Sequence, residues 1–160
     1  MAEKKLETVD PPFIAFNFEI EINVAGVAEK ICSAAFSECD GLEMTMEPKT
    51  LREGGNNTRQ FHLAGPVSYG TLTLKRGMTE NFDLWKWFET VNRNTANRAL
   101  RADADVLIYT AARNKIPMHF HLTRCLPIKL KAPALNAKDG GVAIEEMQIA
   151  YETLTLLQAK

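Results

Sequence analysis

The chain has 160 residues, 46% of them hydrophobic and 24% charged, with a formal net charge of −1 at pH 7. That length and apolar content suit one domain with a real core, and the near-neutral balance gives no overall basic excess for nucleic acid or an anionic membrane. No apolar run approaches the ~20 residues that span a bilayer, no apolar stretch of a secretory signal follows Lys4-Lys5, and three cysteines without CxxC spacing read as buried free thiols of a reducing cytoplasm.

Residues 1–12 are charged and close on Asp10-Pro11-Pro12, which blocks helix continuation and predicts an extended arm ahead of a β domain at 13–160. From Ile14 to Val24 the even positions Ile14, Phe16, Phe18, Ile20, Ile22 and Val24 are apolar, while Asn17, Glu19, Glu21 and Asn23 are polar. This predicts one long strand with a wet face. Ala25-Gly26 marks a turn, Ile31–Cys39 a second strand, and Asp40-Gly41 another turn before Leu42, Met44 and Met46 resume the alternation. Pro48 breaks it. The polar, glycine-rich Leu51–Thr58 then reads as a long loop or the tip of a hairpin arm, returning through Phe61, Leu63 and Ala64 to Gly65-Pro66.

Thr71–Lys75 alternates once more, with Leu72 and Leu74 on one face, and Gly77 stops it. The period then becomes helical: Leu84, Phe88 and Val91 fall at i, i+4 and i+7, and Phe82 and Trp85 widen the stripe. They predict a helix of about four turns packed on the strands. Thr79 is its expected N-cap, and Glu80 and Asp83 place carboxylates where the helix dipole favours them. Asn92–Asp105 reads as a frayed helix end or loop, Val106–Ala112 as a short strand, and Asn114-Lys115 as a turn. Ile116–Lys131 predicts a strand interrupted at Pro127, with Met118, Phe120 and Leu122 opposite His119, His121 and Thr123. Ala132–Gly141 is loop, and Val142–Leu157 a long strand whose phase slips at Glu145-Glu146, as at a β-bulge. The fold class is mainly β, seven or eight antiparallel strands as barrel or sandwich, with one principal α-helix.

Few residues suggest chemistry. His119 and His121, two apart on a strand, project from one face about 7 Å apart. A metal site needs a third ligand, but no Asp or Glu follows until Asp139, and His62 lies on another segment. Two histidines on a solvent or interface face is the plainer reading, with a metal-dependent β-barrel enzyme as the alternative. Glu145 and Glu146 point to opposite faces of a strand and, even with Glu152, do not form a ready acid pair. The Arg52–Asn57 loop lacks the pattern of a phosphate cradle, and no serine sits in a nucleophile elbow. The strands carry Glu, Asn and Thr on their polar faces, where a single-strand nucleic-acid reader would interleave aromatics with Arg and Lys. The surplus of strand points instead to edge pairing with other chains.

Several segments, in this order and spacing, resemble one family. They are Arg52-Glu53-Gly54-Gly55-Asn56, Leu72-Thr73-Leu74-Lys75-Arg76-Gly77, Leu84-Trp85-x-Trp87, Pro127-x-Lys129 with Pro133-x-Leu135-Asn136-Ala137, and Val142–Glu146 with Tyr151-Glu152. From about Phe13 to Leu157 the chain is similar to the tail tube proteins of contractile-tailed phages and phage-tail-like contractile injection systems. The resemblance implies a non-enzymatic building block without cofactor or metal. Such subunits form hexameric rings stacked into a hollow tube, with strands lining the lumen and the helix outside. The implied partners are further copies of the chain, a sheath protein, baseplate, spike and adaptor proteins, and protein or DNA cargo. No stable membrane association is implied for the subunit. Assembly in the cytoplasm, into a virion or a particle open to release from the cell, follows from the same resemblance. It also places the Arg52, Glu53, Gly54, Gly55, Asn56 and Asn57 loop at the contact between rings, and the N-terminal arm and the 132–141 loop near neighbouring subunits. An adaptor between tube and baseplate shares these motifs and stays open beside the ordinary tube subunit. The choice between phage and injection particle stays open too, with the Arg-Glu-Gly-Gly-Asn and Leu-Lys-Arg-Gly motifs leaning to the latter.

Overall fold

A computed structural model describes residues 15–24, 32–34, 36–52, 54–55, 60–93, 101–138 and 140–158. Its strands in chain order are β1 (Phe18–Val24), β2 (Cys32–Ala34), β3 (Glu38–Asp40), β4 (Met44–Met46), β5 (Lys49–Leu51), β6 (Phe61–Leu63), β7 (Val67–Tyr69) and β8 (Thr71–Gly77). Helix α1 (Asp83–Arg93) follows, then β9 (Ala102–Ile108), β10 (Met118–Lys131), β11 (Ile144–Ala150) and β12 (Thr153–Gln158). Among the described residues every pairing is antiparallel; the main sheet follows the path β2-β1-β9-β10-β11-β8-β3, with β12 also on β10, while β4–β7 and β5–β6 pair apart from it.

Strand β10 joins two halves of this path. Its first part, Met118–Thr123, lies between β9 and β12; its last part, Leu126–Lys131, pairs with β11. Between them the chain turns a corner. Arg124 takes φ 53°, the register against β9 shifts between Leu122 and Cys125, and the inward-facing residue passes from Leu122 to Cys125. An extra residue at this point flips the phase of everything beyond it. The Asp103 carboxylate accepts the Arg124 N–H at 3.0 Å, and Arg124 Nε donates to Glu152 at 2.6 Å on the facing corner between β11 and β12.

The inward faces share one core: Ile20, Ile22 and Val24 of β1, Leu72 and Leu74 of β8, Ala102, Ala104 and Val106 of β9, and Met147 and Ile149 of β11. Leu84 and Trp87 of α1 are buried in it, and Phe88 and Val91 pack against it partly buried. Trp85 is half-buried, and Phe82 is 49% exposed and precedes the helix. The inward stripe is therefore Leu84, Trp87, Phe88 and Val91, the spacing of a three-turn helix. Its cap lies beyond Thr79. The Thr79 hydroxyl accepts the Asn81 N–H, Asn81 Oδ1 accepts the Asp83 N–H, and the first helical bond runs from Lys86 to the Phe82 carbonyl.

Several expected strands are drawn differently. β1 begins at Phe18, not Ile14, which lies outside the described residues; Phe16 sits in a turn, 68% exposed. The Ile31–Cys39 segment contains two strands, because β2 pairs with β1 while β3 crosses to β8. β9 starts at Ala102, four residues before the expected Val106: Ala102 and Ala104 alternate inward with Val106 and continue the ladder with β10. Pro127 does not interrupt β10 but sits at a second register shift, against β11. The slip expected at Glu145-Glu146 is absent: β11 pairs with β8 in unbroken register from Ile144 to Ala150, and the bulge is in β10, one strand over. Glu145 faces inward and Ile144 outward. The predicted Val142–Leu157 strand is likewise split, at Tyr151-Glu152. The Ala25-Gly26 turn and the 1–12 arm fall outside the described residues.

The turn after β3 requires glycine. Gly41 has φ +92°, and a Cβ there would stand 1.9 Å from the Thr71 carbonyl oxygen. Tyr151 Oη donates to the Gly41 carbonyl at 2.8 Å and accepts the Glu43 N–H at 3.1 Å. A Gly41→Ala variant is expected to lose more than about 1 kcal/mol, read from its chemical denaturation midpoint, because it adds a clash to an unfavourable φ.

Candidate functional site

Beyond Gly41 the chain leaves the core. β4 pairs with β7 (Met44↔Tyr69, Met46↔Val67), and further out β5 pairs with β6 (Lys49↔Leu63, Leu51↔Phe61). These two ladders make a hairpin arm continuing past Pro48, with Gly54 and Gly55 in the turn at its tip. Period two places Met44, Met46, Val67 and Tyr69 on one face of the inner ladder, and Leu51, Phe61 and Leu63 on one face of the outer. Yet Met44 is 60% exposed, Leu51 52% and Leu63 48%. A two-stranded ribbon is marginal in water by itself, and one with a bare apolar face needs a cover. Of the expected interface residues, Arg52, Gly54 and Gly55 lie exposed near the tip; Glu53, Asn56 and Asn57 are outside the described residues.

Strand edges are also open among the described residues: besides the outer sides of the short end strands β2 and β3, the side of β12 away from β10, and the last half of β10, Leu126–Lys131, on the side away from β11. Leu156 of β12 is 52% exposed. A third bare surface lies between α1 and the segment after β10, where Met78, Phe82, Trp85, Pro133 and Leu135 line an open apolar groove.

The acids that could form a hydrolytic pair are held by cations. Arg76 of β8 donates from Nε to Glu145 Oε1 at 2.5 Å, with both side chains under 5% exposed. Trp85 Nε1 donates to the other oxygen at 2.9 Å, Arg76 Nη2 reaches the Asn81 carbonyl at 3.0 Å, and the guanidinium lies over the Phe36 ring. This network ties two strands to the start of α1. Glu146 meets Lys129, and Glu152 meets Arg101 and Arg124.

The histidine pair has a partner that spacing along the sequence missed. Asp105 of β9 is directly opposite His121, and its Oδ1 lies 2.6 Å from His121 Nδ1 and 2.7 Å from His119 Nε2. Burial pulls the Asp105 carboxyl upward, but hydrogen bonds from His121 and His119 outweigh it and hold the group below its usual value. The signal that could have found it lies upstream: once Asp105 is read as part of a strand, it belongs with the histidines of the next one. His62 stands apart, exposed on the arm. Cys39 and Cys125 are free thiols pushed by burial to about 12, and so remain protonated and unreactive.

Residues 14–155 match the family of the T4-like virus tail tube protein gp19. The chain belongs to that tail tube family. Nothing among curated proteins matches it. Solved chains share its fold: one from the anti-feeding prophage (AFP) baseplate has a TM-score of 0.82 at 24% identity, over 93% of this chain and 97% of that one. One from the PVC extracellular contractile injection system, in its sheath-tube complex, has a TM-score of 0.78 at 19% identity, over 94% and 95%. One from the AFP cap that terminates the tube reaches 0.78 at 18% identity, over 94% of each. Tail tube proteins are structural. No described helix is long and apolar enough to cross a membrane.

Proposed function

We propose that the chain is the repeating inner-tube subunit of a phage tail or phage-tail-like contractile injection particle, forming hexameric rings that stack around a lumen wide enough for protein or DNA cargo. The observation that carries this reading is the hairpin arm, whose apolar faces, apart from Tyr69 beside the core, are left bare by its own chain. Only a neighbouring surface repeated in every copy would cover it in all subunits alike. The open edges of β12 and the end of β10 support continuation of the sheet from one copy into the next, which removes the aggregation hazard of a free edge. The Arg52–Asn57 tip lies at the ring-to-ring contact. The N-terminal arm, residues 1–12, leads into a single domain at 13–160. This arm and the 132–141 loop, whose Leu135 is 90% exposed, reach adjacent subunits. Solved chains of this fold come from a 6-fold symmetrised baseplate and a sheath-tube complex, which supports sixfold symmetry, with sheath and baseplate proteins as partners here.

An adaptor role at one end of the tube is the second reading, favoured by the likeness to a cap chain and to a baseplate chain. Negative-stain electron microscopy of the purified protein, with size-exclusion chromatography alongside, separates the readings. Stacked tubes or rings of about six are expected. Rings that never stack point to the adaptor, and a stable monomer at high concentration overturns both.

A further inference from the structure

We propose that Asp105, His119 and His121 form a binding site for a divalent cation of the zinc and nickel class. This inference stands apart from the tube reading and rests on the geometry of one patch of sheet. β9 and β10 pair in the register Leu107↔His119 and Asp105↔His121, so the two imidazoles and the carboxylate rise from one polar face. Ladders with β1 and β12 flank the patch and fix the backbone from which the three side chains project. Both ring nitrogens aim at the same carboxylate oxygen, and the donor atoms all lie within 4.8 Å of one another.

Two imidazole nitrogens and a carboxylate oxygen are the donor set that zinc and nickel favour, whereas calcium and magnesium want oxygens. Zinc takes these ligands at about 2.0–2.2 Å in tetrahedral geometry. The observed contacts of 2.7 and 2.6 Å would then widen by less than about 1 Å as the ion enters between them. On binding, each imidazole would carry its proton on the ring nitrogen away from Asp105, so that the nitrogen now bonded to the carboxylate turns its lone pair to the ion. The histidines are 29% and 33% exposed, which leaves an approach and room for water as a fourth ligand. In the neighbouring register row position, Glu21 of β1 stands opposite Asp105 and adds a second carboxylate beside the site. An ion held here would fasten β9 to β10 through side chains as well as through the ladder.

The test titrates Zn2+ and Ni2+ into the purified full chain by calorimetry and follows the thermal midpoint; Co2+ serves as an optical probe. One ion per chain, a raised midpoint and the strong visible bands of four-coordinate cobalt are expected. A His119→Gln/His121→Gln variant should bind more than about 100-fold more weakly, because losing two ligands exceeds the 10–100-fold cost of losing an outer-sphere partner. His62→Gln should bind as the parent does. Absence of binding or of the cobalt bands in the parent chain, which needs no variant to fold, overturns the proposal. So does a double variant that binds unchanged, or loss of binding in His62→Gln.

Discussion

Arg76→Met should cost about 3–5 kcal/mol of folding stability, because it leaves the Glu145 carboxylate in the core without its countercharge. Glu145 would keep its bond from Trp85 Nε1, but a single neutral donor does not offset the desolvation of a carboxylate only 2% exposed. The instructive comparison is the double variant Arg76→Met/Glu145→Leu. Removing both charges removes both desolvation costs, so the pair of changes should be at least about 2 kcal/mol less damaging than Arg76→Met alone. Urea denaturation of the two variants and of Glu145→Leu gives the coupling directly. Equal destabilisation of the single and double variants would mean that the arginine acts through its packing on Phe36 and its hold on the Asn81 carbonyl, not through charge.

Leu51→Glu combined with Phe61→Glu should abolish assembly while leaving the monomer folded. The two residues are partners across the outer ladder of the arm, 52% and 41% exposed. They bury little within the chain, and exposed substitutions of this kind change stability by about 0.5 kcal/mol or less. In an assembly each would cover an apolar surface worth about 1.5–3 kcal/mol, and the new carboxylates would face each other and the neighbour's apolar surface. Chromatography should show the variant as a monomer with an unaltered thermal transition, and micrographs should lack rings. Rings formed as readily as by the parent would remove the arm from the interface.

Alternation identified the buried faces wherever the inward residue is apolar: Ile20, Ile22 and Val24, then Leu72 and Leu74, stand out without any structure. It failed where the core is polar. Ile144 and Glu145 look like an outward acid beside an inward aliphatic, and the core reverses them because Arg76 is waiting opposite. A residue's partner, unlike its hydrophobicity, is not written next to it. Asp105 is hidden for the same reason: its chemistry is set by a strand that begins 13 residues later, at Met118, and brings the histidines beside it only through the ladder. α1 was legible as a helix from Leu84, Phe88 and Val91. Its start was not, because Thr79, Asn81 and Phe82 all offer plausible beginnings and Asn81 and Phe82 provide the actual contacts. The arm was legible as a hairpin but not as bare. Alternating apolar residues usually announce a chain's own core, and nothing local distinguishes a face meant for a neighbour.

Strand β10 spans 14 residues and is bonded to β9, β11 and β12. Because its two ends belong to different halves of the sheet, a push along the strand loads three ladders in shear, with many hydrogen bonds resisting together instead of peeling apart singly. The bulge at Arg124 bends this member without cutting it, and the Arg124–Glu152 contact braces the bend. In engineering terms the subunit is a bracket rather than a hinge: the two leaves share one continuous beam, and thrust received by one leaf passes to the other with little give.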